Sequence, residues 1–417
     1  MEKNILNKID NTILIIGLGR VGLPLLLFLE KKKFNLIGLD QDKNLISKLK
    51  SKKMPFFENG CQKILKNSKA KFINSYSDLD AKKIKYIFIT VGTPLRENIE
   101  VNLNNINFVI KDLSKILTKG HVVILRSTIG PETTEYVKKK IEKLTKLKVG
   151  KDIYLSFCPE RLAENKALKE LNQLPQIIGV EDNKTYVLVE RIFKRFKIKI
   201  FKTSFLSAEL VKLFNNNYRY IEFAIANQFS IIANSFNQNI YNIIKICNFN
   251  YPRGKIYNPG LTGGTCLRKD FGMLNEKNPG TDLFLSAWKI NEYIPLHLTE
   301  TIDRKFNINN KKIGILGYTF KKDSDDERES LVPKLVRQIE KKVPKSIFIC
   351  DPNIKSKFIG DYKNSSILET LKNSDIVFIA INHTVFKKKQ IMKYSKKKSK
   401  IVDIWNHLKT DQLILEK

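Results

Sequence analysis

The feature that most constrains this chain is a glycine-rich turn that directly follows a short apolar segment near the N-terminus. Ile13–Ile16 has the length and composition of a buried strand, the turn Gly17-Leu18-Gly19-Arg20-Val21-Gly22 follows it, and an apolar helical pattern continues to Leu29. In this order the first glycine permits a tight turn, the second lets a ligand approach the backbone, and the third allows close packing of helix on strand. The amides at the start of such a helix bind an anion such as pyrophosphate. The motif therefore predicts a dinucleotide site on a parallel α/β sheet.

A carboxylate further along the chain indicates which dinucleotide is bound. Asp40 follows the second apolar segment, Leu36–Leu39. At this place an acidic side chain accepts hydrogen bonds from the adenosine ribose and would repel a 2′-phosphate. We therefore expect NAD rather than NADP, with the nearby Lys43 as the one feature that favours a phosphate.

Two further turns close predicted strands. Val91-Gly92-Thr93-Pro94 and Arg126-Ser127-Thr128 follow apolar segments, so their hydroxyl groups should lie at the carboxyl edge of the sheet, where ligands bind in this architecture. Ordinary turns use the same residue types, and the pattern alone does not decide between the two interpretations. The residues that we expect to contact the cofactor here are Gly17, Gly19, Arg20, Val21, Gly22, Asp40, Thr93 and Thr128.

The chain of 417 residues is too long for one core, so two or three domains are expected. Its first part alternates strand-length segments rich in Ile, Val and Leu with helical patterns, which is typical of a buried parallel sheet, and a second alternation begins at Lys311. We predict an α/β protein with an N-terminal doubly wound Rossmann-type domain and a C-terminal Rossmann-like domain. The predicted strands are Ile13–Gly17, Leu36–Leu39, Tyr86–Val91, Val122–Arg126, Ile153–Phe157, Ile313–Gly317, Ser346–Cys350, Asp375–Ile381 and Ile401–Ile404.

A long helical pattern separates the two alternations. It runs from Ser207 to Phe236 without Pro or Gly, which exceeds the usual globular helix and favours a helix that bridges domains and packs against a second copy about a two-fold axis. Asn237–Gly280, which follows, is rich in Gly, Pro and Asn, as loops that carry chemistry are. We place the cofactor domain at 1–202, a central helical and dimerisation region at 203–305, and a substrate domain at 306–417.

The formal net charge of +33 raises the question of a polyanionic partner. The lysines form short runs along the whole chain, so we attribute the charge to solvated surface and expect no nucleic acid partner. No apolar run reaches the roughly 20 residues that cross a bilayer, Met1–Asn11 lacks the apolar core of a signal peptide, and the five cysteines have no paired spacing. We expect a cytoplasmic protein with no membrane partner and no metal.

One thiol has an unusual setting. In Gly263-Gly264-Thr265-Cys266-Leu267-Arg268-Lys269-Asp270, Cys266 follows paired glycines and precedes a carboxylate by four residues. The glycines let a substrate approach closely, and the charge of Lys269 favours the reactive thiolate. A lone cysteine is more often a small buried hydrophobe than a nucleophile, so this pattern by itself is only suggestive.

Several of these motifs together resemble the UDP-sugar 6-dehydrogenases, which oxidise UDP-glucose or UDP-N-acetyl-hexosamines to their uronic acids. The resemblance runs nearly from end to end. It is carried by Gly17–Gly22, Val91–Pro94, Arg126–Thr128, Cys158–Arg161, Glu209–Asn216, Gly263–Asp270, Phe320–Asp323 and Asp325–Ser330. It implies NAD as the cofactor, a UDP-sugar as the substrate, and a role in making polysaccharide precursors.

The resemblance also implies catalytic residues. Cys266 matches the family's nucleophile, and Asp270 matches the aspartate that follows it. Lys212 and Asn216, one helical turn apart, match the pair that binds developing negative charge on the reacting oxygen. An alcohol becomes an acid by losing two hydrides and gaining a water, and a thiohemiacetal and then a thioester on Cys266 would join these steps.

Further roles come from the same resemblance. Thr128 and Glu164 match the pair that positions a catalytic water, and Lys269 matches a lysine that contacts the cofactor. Cationic side chains in the C-terminal domain suit a pyrophosphate. The implied substrate contacts are Glu160, Arg161, Lys212, Asn216, Gly263, Phe320, Lys321 and Arg328.

Two departures from the family pattern bear on the sugar. The loop Asn258–Cys266 has one residue inserted or shifted, which leaves sugar contacts from Leu261 and Thr262 open. Pro159-Glu160-Arg161 resembles the N-acetyl-hexosamine branch more than the UDP-glucose branch. We therefore expect UDP-N-acetyl-mannosamine or UDP-N-acetyl-glucosamine as the substrate, with UDP-glucose as the close alternative and a one-step 3-hydroxyacid-type dehydrogenase without thiol chemistry as the second.

Overall fold

The computed structural model describes residues 12–94, 101–275 and 280–417, without the side chains of Cys266 and Arg268. The chain divides into an N-terminal unit, Met1–Asn215 with Gly272–Asn278, and a C-terminal unit, Asn216–Phe271 with Pro279–Lys417. The boundaries of the three domains expected from the sequence stay predictions.

The N-terminal unit is built on one sheet of eight strands. The order is β3-β2-β1-β4-β5-β6-β7-β8, and neighbouring strands are parallel except for β6 and β7. The strands are β1 (Thr12–Ile16), β2 (Asn35–Leu39), β3 (Lys71–Ile73), β4 (Ile84–Ile89), β5 (Val122–Leu125), β6 (Tyr154–Phe157), β7 (Gln176–Gly179) and β8 (Ile200–Thr203). The doubly wound sheet predicted from the apolar segments is confirmed.

Helices cover both faces of this sheet, since alternate residues of β1 enter two different cores. Ile13 and Ile15 belong to one apolar cluster, and Leu14 and Ile16 belong to the other. The helices up to the long central one are α1 (Gly22–Lys31), α2 (Lys43–Lys50), α3 (Cys61–Lys66), α4 (Asn104–Leu113), α5 (Thr133–Thr145), α6 (Ala167–Glu170), α7 (Asn183–Lys194) and α8 (Phe205–Ser235).

The C-terminal unit contains a second, smaller sheet. Its order is β10-β9-β13-β14-β15, parallel except for the edge strand β15, and a two-stranded hairpin stands apart. The strands are β9 (Lys312–Leu316), β10 (Ser346–Cys350), β11 (Phe358–Ile359), β12 (Tyr362–Lys363), β13 (Ile376–Ile379), β14 (Lys400–Asp403) and β15 (Ile414–Glu416), and the helices are α9 (Ile240–Asn248), α10 (Thr265–Asn275), α11 (Asp282–Phe306), α12 (Val332–Glu340), α13 (Ile367–Asn373) and α14 (Lys388–Tyr394).

The segment expected to be a loop between 237 and 280 is more regular than its composition indicates. α9 begins where the Asn239 side chain accepts hydrogen bonds from Tyr241 N and Asn242 N, and α10 begins at Thr265. Irregular backbone is therefore confined, in the described part of this segment, mainly to residues 249–264 between the two helices. That stretch leads directly into the helix that carries Cys266.

Candidate active site

The glycine-rich turn forms as its sequence predicts. Gly17, at φ 90°, donates its N–H to Leu39 O at 2.8 Å, and Leu18 N donates to Asp40 Oδ2 at 2.7 Å. Asp42 N donates to the other carboxylate oxygen of Asp40 at 3.0 Å. These bonds fix the Asp40 carboxylate at the carboxyl end of β2, next to the turn.

A cavity of about 590 Å³ opens at this edge of the sheet. Gly17, Gly19, Asp40, Thr90 and Gly92 are among the residues that line it. A Cβ on Gly22 would lie 1.9 Å from the Gly17 carbonyl oxygen, so glycine is required there, whereas nothing lies within 4 Å of a Cβ on Gly19. The helix start packs tightly and the turn stays open to a ligand, which is the arrangement that a dinucleotide needs.

The two hydroxyl-bearing turns meet beside this cavity. Thr93 Oγ1 donates to Thr128 O at 2.5 Å, and Ser127 Oγ donates to Val91 O at 2.6 Å. Asn105 Nδ2 donates to Gly92 O at 2.9 Å. The turns after β4 and β5 are thus joined to each other, and Thr93 is buried while Thr128 is half-buried.

Arg126, in the second of these turns, is structural. Its guanidinium is buried and donates to Cys158 O at 3.2 Å and Gln176 Oε1 at 3.0 Å, and it stacks on Phe193. Burial lowers its pKa, against the opposing charge of Glu160. Arg126 therefore joins the ends of three strands rather than facing a ligand cavity.

The segment after β6 is held by hydrogen bonds to two carboxylates, the half-buried Glu160 and the buried Glu58. Glu160 accepts a hydrogen bond from Leu162 N, and Arg161 Nη2 donates to Pro175 O at 2.5 Å. Glu58, which the sequence analysis did not single out, accepts from Asn165 N at 2.9 Å and from Ala167 N at 3.0 Å. Glu164 lies in this supported turn, half-buried.

Another buried carboxylate connects α8 with α5. Glu209 is fully buried and accepts from Glu132 N at 2.7 Å, Thr134 N at 2.7 Å and Thr134 Oγ1 at 2.5 Å. The first turn of α5 thus receives its acceptor from a residue 75 positions away. Lys212, also buried, lies one turn further along α8 in the same unit.

Asn216 and Asp270 meet in the C-terminal unit. Asn216 Nδ2 donates to Asp270 Oδ2 at 2.5 Å, and the neighbouring Asn217 Nδ2 donates to Asp270 O at 3.2 Å. Asp270 is fully buried on α10, one helical turn after Cys266. The structure thus brings together two of the predicted catalytic residues and the helix that carries the predicted nucleophile.

The backbone before Cys266 packs against residues 319–330, which we call the nucleotide loop. Gly264 N donates to Glu329 O at 2.8 Å, and a Cβ on Gly264, whose φ is 103°, would lie 2.6 Å from the Phe320 ring. A Cβ on Gly263 would lie 2.6 Å from Glu329 O. Both glycines are therefore needed for this close approach.

The two residues of this segment whose sugar contacts the sequence leaves open, Leu261 and Thr262, are both buried. Leu261 enters the apolar core of the C-terminal unit, and Thr262 is buried. Asn227 on α8 clamps Gly260 by accepting from its N–H at 2.9 Å and donating to its carbonyl at 3.1 Å. Asn227 also donates to Asn291 Oδ1 at 2.8 Å, a buried amide pair that no local sequence signal marks.

The cationic residues of the nucleotide loop have defined neighbours. Arg328 forms a fork to both carboxylate oxygens of Asp326, at 2.9 and 2.7 Å. The Lys321 ammonium lies 5.5 Å from the centre of the Phe320 ring. The Arg328 guanidinium is thus oriented by Asp326, and the Lys321 ammonium lies beside the Phe320 ring.

Three of the other cysteines are unsuited to thiol chemistry. Cys61, Cys158 and Cys350 are buried, and burial raises the pKa of each to about 12. Cys247 is exposed on α9. Cys61, Cys158 and Cys350 therefore behave as small hydrophobes.

Comparison with known proteins identifies the family. The model of the UDP-glucose/GDP-mannose dehydrogenase family matches in three parts: its NAD binding domain at residues 11–197, its central domain at 206–293 and its UDP binding domain at 314–410. This chain belongs to that family. The cavity at the glycine turn therefore lies in the family's NAD binding domain, and the nucleotide loop lies in its UDP binding domain.

Individual relatives agree with this assignment. The chain is 31% identical to the UDP-N-acetyl-D-mannosamine dehydrogenase of Pyrococcus horikoshii, over 90% of each chain, and 31% identical to that of Methanococcus vannielii, over 98% of this chain and 96% of the relative. A solved structure of the P. horikoshii UDP-D-ManNAc dehydrogenase superposes with a TM-score of 0.86 at 30% identity, over 96% of each chain. A UDP-glucose dehydrogenase structure from Pyrobaculum islandicum has a TM-score of 0.83 at 20% identity, over 96% and 95% of the chains. The fold by itself thus does not distinguish enzymes that are named for different UDP-sugars.

The predictions of an NAD-dependent UDP-sugar dehydrogenase and of its α/β fold are confirmed. The roles assigned to individual site residues stay predictions. None of the helices in the described ranges combines the length and apolarity that a bilayer crossing requires.

Proposed function

We propose that this enzyme oxidises the primary alcohol of a UDP-N-acetyl-hexosamine, either UDP-N-acetyl-mannosamine or UDP-N-acetyl-glucosamine, to the uronic acid. The observation that carries this proposal is that relatives about 30% identical over nine-tenths of the chain are named UDP-N-acetyl-D-mannosamine dehydrogenases. The Pro159-Glu160-Arg161 sequence supports the same branch. The product would serve as a polysaccharide precursor in the cytoplasm.

The cofactor would be held by residues at the carboxyl edge of the N-terminal sheet. Gly17, Gly19 and the start of α1 suit its pyrophosphate, and Asp40 suits its adenosine ribose. We assign further contacts to Arg20, Val21, Gly22, Thr93, Thr128 and Lys269. Bound NAD supplies the hydride acceptor for each of the two oxidations.

Cys266 would carry the substrate between the two oxidations. Loss of the first hydride and of the hydroxyl proton leaves an aldehyde, and the Cys266 thiolate adds to its carbon to give a thiohemiacetal. Loss of a second hydride leaves a thioester, which water hydrolyses to the acid and the free thiol. Gly263 and Gly264 would serve this step by letting residues 319–330 pack against the backbone that leads to this thiol.

Polar residues would stabilise charge around the reacting carbon. Lys212 and Asn216 would stabilise the oxyanion, and the buried position of Lys212 strengthens such an interaction. Asp270, which Asn216 contacts, would assist proton transfer. Thr128 and Glu164 would position the water that cleaves the thioester.

The substrate would be bound through both ends. Phe320, Lys321 and Arg328 would contact the UDP, since the last two offer positive charge to a pyrophosphate. Glu160, Arg161 and Gly263 would contact the sugar, together with Lys212 and Asn216.

A substrate panel tests the proposal. Purified protein is incubated with NAD and, separately, UDP-N-acetyl-mannosamine, UDP-N-acetyl-glucosamine or UDP-glucose, and NADH is followed by absorbance. We expect about two NADH for each N-acetyl sugar oxidised, since the route passes through two hydride losses. A strict one-to-one ratio would refute the thioester route, and a preference for UDP-glucose would refute the sugar assignment.

Replacement of the thiol separates the proposal from a one-step 3-hydroxyacid-type dehydrogenase. Cys266→Ser should abolish formation of the acid or leave a bound intermediate, whereas Cys247→Ser, at an exposed cysteine on α9, should behave as the wild type. Retained turnover to the final product in Cys266→Ser would favour the one-step enzyme.

We also propose that the enzyme is a homodimer that pairs through α8. Within the C-terminal unit this helix exposes an apolar row at helical spacing, formed by Tyr218, Ile225, Phe229 and Ile232, and the exposed Phe236 follows directly after the helix. An exposed apolar row of this kind is suited to a second copy of itself about a two-fold axis. Light scattering should give twice the mass of one chain, and Phe229→Arg should give the monomer; a monomeric wild type would refute the proposal.

A further inference from the structure

His383 is fully buried in the turn that follows β13 and connects three turns at the carboxyl edge of the C-terminal sheet. Its Nδ1 lies 2.9 Å from Asp323 N, in the nucleotide loop after β9, and 3.0 Å from Asn353 Nδ2, after β10. Its Nε2 lies 3.1 Å from Asp351 Oδ2 and 3.3 Å from Thr319 Oγ1. One imidazole thus connects the turn after β13 with the loop after β9 and the turn after β10.

The partners determine which ring nitrogen carries the proton. A backbone N–H such as that of Asp323 can donate but cannot accept, so Nδ1 must be the acceptor, and the Asn353 amide group can then donate to it as well. The Thr319 hydroxyl donates to Lys321 O at 3.1 Å, so toward the ring it accepts. Nε2–H therefore donates toward Asp351 and Thr319, and the ring is the neutral Nε2–H tautomer.

The residue that His383 holds belongs to the loop expected to bind the substrate. Asp323 has a φ of 53°, in the left-handed region, and lies two residues after Lys321. Its carboxylate also accepts from Thr384 N at 2.7 Å and Thr384 Oγ1, next to His383. The nucleotide loop therefore has two connections to the turn after β13, one from its backbone and one from a side chain.

The N-terminal sheet offers an internal comparison. Gly317 has a φ of 90° and donates to Cys350 O at 2.8 Å, as Gly17 donates to Leu39 O. Asp351 accepts from Tyr318 N at 2.7 Å, as Asp40 accepts from Leu18 N. The two sheets thus repeat the same turn and the same acidic position.

The strands that pair with β1 and β9 on their other side, β4 and β13, extend the comparison to His383. β1 pairs with β4 through Ile16 and Ile89, and β9 pairs with β13 through Leu316 and Ile379. Counting four residues beyond each last pair places His383 at the position of Thr93, beside the open cavity of the N-terminal sheet. In the C-terminal sheet the His383 imidazole lies at this position and bonds to Asp351 through Nε2 and to Asp323 N through Nδ1. The carboxyl edge of this sheet therefore holds the nucleotide loop.

We propose that His383 is a positioning residue for UDP, which fixes the nucleotide loop in its binding conformation through the hydrogen bond from Asp323 N to Nδ1. The proposal rests on the assignment of Phe320, Lys321 and Arg328 to UDP binding. Without this bond the loop must be ordered by the ligand itself, and that ordering lowers the affinity.

Two substitutions of His383 separate the bond from Asp323 N to Nδ1 from the bond between Nε2 and Asp351. In His383→Asn the carboxamide oxygen takes the place of Nδ1 and still accepts from Asp323 N, while the bond to Asp351 is lost. In His383→Gln the amide nitrogen takes the place of Nε2 and still donates to Asp351, while the acceptor for Asp323 N is lost. We expect the Kd of UDP, measured calorimetrically, to rise about tenfold in His383→Gln and to stay within about twofold in His383→Asn.

A matched control lies in the N-terminal unit. His121 is also buried, accepts from Thr118 N at Nδ1 (3.0 Å) and contacts Ala81 O through Nε2 (3.0 Å). His121→Gln should lower the melting temperature without changing the Kd of UDP. NAD affinity should be unchanged in all three variants.

The outcomes distinguish failure of the positioning role of His383 from failure of the proposed function. Equal UDP affinity in wild type, His383→Gln and His383→Asn would overturn the positioning role, as would a loss that is the same in both variants and follows their melting temperatures. If His383→Gln does not fold, Asp323→Ala removes both bonds between the loop and Thr384, and an unchanged Kd of UDP there would overturn the role. A wild type that binds NAD but not UDP would refute the proposed function itself.

Discussion

Glu209 allows a quantitative test of how α8, the helix to which we assign Lys212 and Asn216 as catalytic residues, is fixed in the N-terminal unit. Its buried carboxylate accepts two backbone N–H groups and one hydroxyl at the start of α5, all at 2.5–2.7 Å. One of these amides belongs to Glu132, whose φ is 65°. The carboxylate thus satisfies donors that the helix itself cannot, next to a strained residue.

The expected magnitudes follow from these bonds. Glu209→Ala removes the carboxylate acceptor of the buried Thr134 N–H, the part-buried Glu132 N–H and the Thr134 hydroxyl, at about 1 kcal/mol or more for each bond, so the free energy of unfolding should fall by about 3 kcal/mol. Glu209→Gln keeps one oxygen but turns an NH₂ group toward a backbone donor, and should lose about 2 kcal/mol. Thr134→Val removes the hydroxyl alone, for about 1 kcal/mol. Urea unfolding followed by circular dichroism measures each value.

An exposed acid provides the control, and turnover provides a second readout. Glu135 on α5 forms surface ion pairs with Lys138 and Lys139, so Glu135→Gln should cost less than about 0.5 kcal/mol. Because Lys212 lies one turn beyond Glu209, Glu209→Gln should also lower kcat at saturating substrate. Stability of Glu209→Ala within about 0.5 kcal/mol of the wild type would refute the reasoning.

Three further outcomes are expected. Gly22→Ala should abolish NAD binding in fluorescence titration, since its Cβ would lie 1.9 Å from the Gly17 carbonyl oxygen, and a normal Kd would contradict the close packing. Alkylation of the native enzyme at pH 8 should spare the three buried cysteines, because with a pKa near 12 about one thiol in ten thousand is ionised; mass spectrometry would contradict this by finding label on Cys158. Tyr241→Phe should lower stability by about 1 kcal/mol, since the buried hydroxyl loses Asp403 O at 3.1 Å and Ile404 O at 3.0 Å, and an unchanged melting temperature would argue against it.

Several of the strands predicted from the sequence are buried on both faces. β1, β4 and β5 consist almost wholly of buried apolar residues, which gives a continuous signal over strand length. Two of the strands without a prediction carry little of that signal, since β3 has three residues and β8 has no fully buried residue, whereas β7 is buried throughout but has only four residues, two of them Gln176 and Gly179. Pairing to a neighbour already in the sheet, rather than local composition, makes such segments strands.

The candidate site contains residues that a local sequence pattern predicts and residues that no local pattern predicts. Cofactor and nucleophile motifs are local, because a turn or a helix start requires particular residues within a short stretch. Glu209 and Asn227 have their partners 75 and 33 residues away, so neither leaves a local pattern. Both are buried polar groups whose significance follows from what they hold, Glu209 the start of α5 and Asn227 the backbone that leads to Cys266.

Comparison of the two Rossmann-like sheets shows which structural feature requires the second and third glycines of the N-terminal motif. Both begin with a glycine of φ 90° and both place an aspartate after the second strand, yet the second and third glycines of the N-terminal motif, Gly19 and Gly22, correspond by position to Thr319 and Lys322. Gly22 is needed because α1 begins there against the turn, whereas the C-terminal sheet continues into the nucleotide loop and its helix, α12, begins only at Val332. In the C-terminal sheet a loop thus takes the place of the helix start, and Asp323 N in that loop donates to His383 Nδ1. The second and third glycines are found where a helix begins directly at the turn, and they are missing where a loop follows the turn.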